Sequence, residues 1–389
     1  MSWRFTPPLV FLWMAATGCS LSHGRAGNAL QKSLETTVTR ADSVDHAVLR
    51  VDAPHLGFQE VWTTGPAQPG IPVTADTPFL SASVGKLFVA TTLAHMAADN
   101  VLSLDDPVSQ WVSADVLAGL PAWGGAAAFD VITVRMLLGH RSGLPDYFDS
   151  ALHPPHDGAL DVHAHITAHP EQAWSRADLL TYAADHWAPY APPGESFLYS
   201  DLNYDLAGLV IEGATGAPWH ASVRARVLNP LGMRHTWAHQ HESRPADTPP
   251  MATVRSGAVV LSNTPALSID DAGGGFATTT GDLVLLLRGL HSGNPVALDN
   301  LTLDWSENSL NKGIDYGLAV WRIRPGGMFF LLGGLSKLHG VSGSTGSFVY
   351  GLEDGTIVSG TFDQTDFAEG HVKFLLAEVL PVLARLDTP

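Results

Sequence analysis

Apolar positions change period along the chain. Near its start two runs rich in β-branched and aromatic residues, His46 to Val51 and Phe58 to Thr63, flank a turn containing Pro54 and predict a hairpin. From Ser83 onward Leu87, Ala90, Thr91, Leu93 and Ala94 recur at helical spacing, so a helix begins near Ser83. The middle is helical and loop-rich. Ser175-Arg176-Ala177-Asp178 is a capping-box pattern opening a Leu179 to Ala184 helix, and Thr279-Thr280-Gly281-Asp282 does the same for Leu283 to Leu290. Strands return at Gly346 to Leu352 and Thr356 to Phe362, joined by an Asp354-Gly355 turn. An amphipathic helix, Phe367 to Leu386, closes the chain. Strands at both ends with helices between them predict an α+β fold, in which both termini build one antiparallel sheet flanked by helices and a mainly helical lobe is inserted. The expected boundaries are an α/β lobe over about 41–100 and 265–385 and a helical lobe over about 101–264. The small, polar stretch from Ser20 to Gln31 reads as part of a tether covering 20–40.

Composition narrows the class. The chain has 389 residues, 45% hydrophobic and 15% charged, enough for real cores. Its formal charge of −17, with no run of Lys and Arg to offset it, argues against nucleic acid as a partner. Past the first twenty residues no stretch is apolar for long enough to span a bilayer. At the start, Arg4, the apolar run Leu9 to Ala16 and Thr17-Gly18-Cys19-Ser20 read as an export signal over 1–19. The single cysteine, Cys19, directly after small residues resembles a bacterial lipoprotein signal, although Ala16 stands where leucine is more usual. Ordinary secretion and a membrane-retained leader are the alternatives. The expected location is therefore the periplasm or cell envelope, with Cys19 as the candidate lipid anchor.

Three short segments could carry chemistry. Ser83-Val84-Gly85-Lys86 places a hydroxyl and an amine three residues apart on one helix face. A serine needs a base, and a buried lysine can be one. Ser309-Leu310-Asn311-Lys312 has the same spacing, but only Ser83 opens a long apolar helix. Tyr199-Ser200-Asp201 follows Pro192-Pro193-Gly194 and precedes an apolar helix, so its phenol can face a cleft; a lone tyrosine is otherwise a core aromatic. Val341-Ser342-Gly343-Ser344-Thr345-Gly346 is a Gly-rich strand edge that can offer an N–H to an oxyanion, or simply a turn.

Taken in order, the three segments resemble the serine β-lactamase and penicillin-binding-protein superfamily, in the branch of class C β-lactamases, D-Ala-D-Ala carboxypeptidases, D-aminopeptidases and related esterases. Leu137 to Asp146, Pro230-Leu231-Gly232-Met233, Gly273 to Thr278 and Tyr316-Gly317-Leu318 look like framework segments of that branch, and the resemblance runs from about residue 40 to 385. It implies a β-lactamase/transpeptidase-like fold and a Ser83 acyl-enzyme, with Lys86 and Tyr199 sharing the proton traffic. Asp201 would stand where an asparagine usually orients the lysine, and an aspartate there could pair with Lys86 and hold it charged. The backbone N–H groups of Ser83 and Ser344 would form the oxyanion hole, beside Ser342 and Gly343. No cofactor is implied.

Val341 departs from the pattern, because the third segment of such proteins normally begins with a lysine or histidine that grips a substrate carboxylate. His339 would share Val341's strand face and could substitute in part. A segment starting at His339 fails, since Val341 would then fill a glycine position. The leading expectation is a serine hydrolase for a small ester, amide or peptide, with D-alanyl-D-alanine carboxypeptidase or β-lactamase activity as one alternative. A catalytically silent envelope scaffold, motivated by Val341 and Asp201, is the other. His153, His156, His163, His165 and His169 are expected on a solvated loop or a lid, and no metal site is assigned.

Overall fold

The structure, a computed structural model, describes residues 20–41, 43–149, 153–262, 264–302, 305–307, 313–324, 338–365 and 370–386. Cys19 and the Ser309–Lys312 segment lie outside them. Among the described residues the main sheet has eight strands, every neighbour antiparallel. Across it run Ser306–Glu307, Ile314–Tyr316, Trp321–Ile323, Leu338–Ser342, Phe348–Leu352, Ile357–Thr361, Ala47–Ala53 and Phe58–Thr64. The N-terminal hairpin thus pairs with the last strand, Val51 opposite Val358 and Leu49 opposite Gly360. Both hairpins read from the sequence are present. Inserted between the two strand groups are helices such as Arg176–His186, whose Ser175–Asp178 capping box is complete, and Leu202–Thr215. Helix Thr280–Ser292 starts from Thr279, whose hydroxyl accepts the Asp282 N–H.

Alternation sorts the sheet's side chains into two cores. On one face Leu49, Val51, Phe348, Tyr350 and Val358 pack with Phe58, Trp62 and the C-terminal segment Val372 to Leu386. Across the other, Val341, Val349 and Ile357 meet Leu87, Phe88, Leu93 and the apolar sides of the inserted helices. Helix Gly85–Ala98 belongs to this second core and is buried nearly all round, as expected of a helix without a polar face.

The expected tether over 20–40 is a correction. His23–Arg40 is a helix whose Ala26, Leu30 and Leu34, four residues apart, are fully buried against the outer core. Leu21 is fixed as well, its N–H bonded to Arg385 O at 2.6 Å. The apolar stripe is only three residues wide in a polar stretch, so composition hid it.

The His-rich segment is also more ordered than expected. Val162–Ala168 is a helix capped by Asp161, and His165 packs its ring 5.0 Å from Trp174 and 4.7 Å from His169. Among the described residues no group of three or more His, Cys, Asp or Glu could hold a metal ion.

Candidate active site

Ser83 sits in a 3-10 turn, Ala82–Val84, that feeds the buried helix. The turn is held from both sides. Strand Phe79–Leu80 pairs with Phe276–Thr278, and the Ser81 N–H bonds Phe276 O at 2.8 Å. Ser347 Oγ donates to Ser81 O at 2.6 Å and Thr345 Oγ1 to Leu80 O at 2.9 Å, pinning the Val341–Gly346 segment beside Ser83. Ala82, just before Ser83, has a φ of +44°, a left-handed conformation costly for a residue with a side chain. Two glycines make room for it. A Cβ on Gly274 would lie 2.8 Å from the Ala82 carbonyl, and one on Gly343 would overlap Ser81 O.

Lys86 is 1% exposed and surrounded by acceptors: Ser83 Oγ at 3.2 Å, Gly273 O at 2.7 Å and Asp201 Oδ1 in an ion pair. Three acceptors match the three N–H groups of an ammonium. Carboxylate and carbonyl can only accept, whereas a hydroxyl can also donate. When Lys86 is an amine, it keeps its bonds to Asp201 and Gly273, and its lone pair faces Ser83. The amine group also lies 5.2 Å from the Tyr199 ring centroid and 5.4 Å from that of Tyr204.

Asp201 precedes helix Leu202–Thr215, yet its side chain does not cap that helix; it turns to Lys86. Its N–H is taken by the buried carboxylate of Asp146 at 3.1 Å. Tyr199 is half-buried and bonded to Ser83, and burial, followed by the Asp201 charge, pushes its phenol well above the usual range. It is a phenol at neutral pH and therefore a donor.

His140 backs the site. Its Nδ1 accepts the Ser200 N–H and the Asn203 amide, each at 3.1 Å, which leaves the proton on Nε2 to be donated to Tyr316 Oη at 3.1 Å. Burial, then the nearby Lys86, holds it well below the ordinary imidazole value, so it is neutral. Its ring lies 4.2 Å from that of Tyr199 and fixes the phenol's position.

The third segment is mixed. Neither the Ser83 nor the Ser344 backbone N–H has an acceptor among the described residues, and both residues are half-exposed. Gly343 is bonded back to Ser347 O at 2.8 Å, and Ser342 Oγ meets Tyr350 Oη at 2.6 Å. Val341 is 1% exposed in the inner core. His339 does share its face, but its ring is stacked 5.8 Å from Trp305.

Sequence reasoning missed His140, Asp146 and Asp270. His140 stood inside a segment read only as framework. Asp146 accepts three backbone N–H groups, and burial, then Asp201, pushes it well above the carboxylate range. Asp270 precedes the Gly273–Gly275 run, and burial, then Asp201, pushes it up to about 6. Two aspartates in an otherwise apolar stretch, Ile269-Asp270-Asp271-Ala272, were the available signal.

A family model described as Beta-lactamase matches residues 56–361. Among curated proteins the chain is 33% identical over 168 residues to Esterase EstB of Burkholderia gladioli, covering 42% of this chain and 39% of that protein. It is 29% identical over 174 residues to a Beta-lactamase of Pseudomonas fluorescens, covering 44% and 40%. The matches thus span about two fifths of those relatives' length. Solved structures match more fully. A D-stereospecific amidohydrolase from Streptomyces sp. aligns with a TM-score of 0.69 at 26% identity, over 90% of this chain and 97% of that one. The D-amino acid amidase from Ochrobactrum anthropi SV3, complexed with L-phenylalanine, gives 0.72 at 26% identity, over 92% and 98%.

Proposed function

Because the chain belongs to the Beta-lactamase family and has its α+β, β-lactamase/transpeptidase-like fold, we propose that it is a serine hydrolase that forms an acyl-enzyme on Ser83. The carrying observation is the acceptor set of Lys86, in which Ser83 is the one partner able to reverse its hydrogen bond. Ser83 Oγ attacks the substrate carbonyl and its proton passes to Lys86. The free N–H groups of Ser83 and Ser344 receive the developing oxyanion. Lys86 then returns the proton to the leaving alcohol or amine through the Tyr199 phenol. Water repeats the sequence on the acyl group and releases the acid.

Small esters or amides are the substrates this reading favours. Val341 is apolar and buried where a carboxylate-gripping cation would stand, and the names of EstB and the amidases agree with that class. The second reading, D-alanyl-D-alanine carboxypeptidase or β-lactamase activity, draws on relatives named Beta-lactamase and Penicillin-binding protein 4*. Steady-state hydrolysis of p-nitrophenyl butyrate, a chromogenic cephalosporin and a D-Ala-D-Ala peptide separates them. Ester turnover that disappears in Ser83→Ala, with little on the other two, is expected. Lactam or peptide turnover exceeding that of the ester would reverse the order. Action in the cell envelope, with or without lipid at Cys19, is part of the proposal and rests on the leader-like residues 4–19. The mass of the mature N-terminus from a bacterial host tests it.

A further inference from the structure

Neighbouring carboxylates receive opposite treatment in this fold. Asp271 is fully engaged: Trp219 Nε1 donates to it at 2.9 Å, His241 Nε2 lies 3.0 Å away, and Arg176 closes an ion pair on its other oxygen. The Asp270 backbone N–H bonds Leu267 O at 3.2 Å, but its carboxylate has no hydrogen-bond or ion-pair partner among the described residues. It stands at the N-terminus of the short Asp271–Gly274 helix, yet its side chain does not cap it. It is half-buried on the stretch of backbone that leads into the proposed site, within electrostatic reach of Lys86, Asp201 and Tyr199. Three residues on, the Gly273 carbonyl binds Lys86.

The charges there do not cancel. Lys86 is matched by Asp201, and Arg176 by Asp271 and Glu212. Asp146 spends its oxygens on three backbone N–H groups. Position 341 supplies no cation. A carboxylate partly withdrawn from water and left unpaired costs free energy, and in a catalytic cleft such a group marks a ligand contact. Its complement is a cation that also donates hydrogen bonds.

We infer that Asp270 is the recognition residue for a protonated amine on the substrate, so that the favoured substrates are amino-acyl esters or amides. The cleft has then exchanged an anion-gripping cation for a cation-gripping anion. The inference rests on Ser83 for the reaction but not for binding. An aryl side chain suits the first probe, since Tyr199, Tyr316 and Trp321 form an aromatic group with ring separations of 5.9 to 6.4 Å.

Calorimetric titration at pH 7.5 of the full chain carrying Ser83→Ala, which prevents turnover, compares both enantiomers of phenylalanine amide with 3-phenylpropanamide, which lacks only the amine. At least one enantiomer is expected to bind about tenfold or more tightly than the des-amino amide. Asp270→Asn, which keeps shape and loses charge, is expected to remove that preference with its melting temperature at pH 7.5 not lowered. Equal affinities, binding by neither amide, or a preference that survives Asp270→Asn would overturn the inference. So would p-nitroanilide hydrolysis in which Asp270→Asn lowers turnover of amino and des-amino substrates equally, since Asp270 would then serve the chemistry. Failure of the Ser83 reading shows separately, as absent labelling of Ser83 by a fluorophosphonate, and leaves the titration interpretable.

Discussion

Lys86 is the residue on which the proposed chemistry turns, and its surroundings make graded predictions. Lys86→Ala removes the proposed base and leaves the Asp201 carboxylate unpaired, so ester kcat/KM is expected to fall about 10²–10⁴-fold, the usual worth of a positioned acid–base group. Tyr199→Phe keeps the ring against His140 and loses only the donor, so its cost should be smaller for an ester with a good leaving group than for an amide. Equal losses on the two substrates would contradict the role of Tyr199 at the leaving group. Asp205 gives a pH prediction. Burial, followed by the charge of Asp271, pushes its carboxyl up to about 8, against the ordinary carboxylate value in the unfolded chain. Between these values the folded state holds a proton that the unfolded state has released, so this group's contribution to stability is lost as pH rises from about 4 through about 8. Asp205→Asn should flatten the decline in melting temperature across pH 5–9; an unchanged profile would place the titration elsewhere.

At the scale of elements, what was legible in the sequence was what is local. The Asp354-Gly355 turn, the Ser175 box and the Thr279 cap are each set by neighbours within a few residues, and each was found where the pattern placed it. Helix His23–Arg40 was not legible, because its buried Ala26, Leu30 and Leu34 acquire meaning only against Phe58 and Trp62 of a strand formed later in the chain. Leu30→Ala tests that correction. A buried leucine costs about 2–5 kcal/mol when truncated, while the same change in a solvated tether would leave denaturant unfolding unaffected. The turn at Ala82 makes the matching case. Gly274→Ala forces a Cβ against the Ala82 backbone, and a loss of about 1–3 kcal/mol with impaired activity is expected. A stable and fully active Gly274→Ala would show that the left-handed turn at Ala82 is not needed. The sequence also could not distinguish Asp270 from Asp271, since which of them finds Arg176, Trp219 and His241 is decided by helices distant in the chain.

Across the whole molecule, the first and last thirds of the chain are interdependent. Ile357–Thr361 lies between Phe348–Leu352 and Ala47–Ala53, so the sheet closes only when both ends are present. This closure positions the Val341–Gly346 segment against Ser81 and thereby assembles a site whose parts are more than 250 residues apart in sequence. The order of the three segments was readable, but their convergence follows from sheet topology. The proposed acylation at Ser83 is tested most directly by intact-mass spectrometry after exposure to a fluorophosphonate probe, with Ser83→Ala as the control. One adduct is expected on the wild type and none on the variant. A folded wild type that takes no label, or a Ser83→Ala protein that still does, would contradict it.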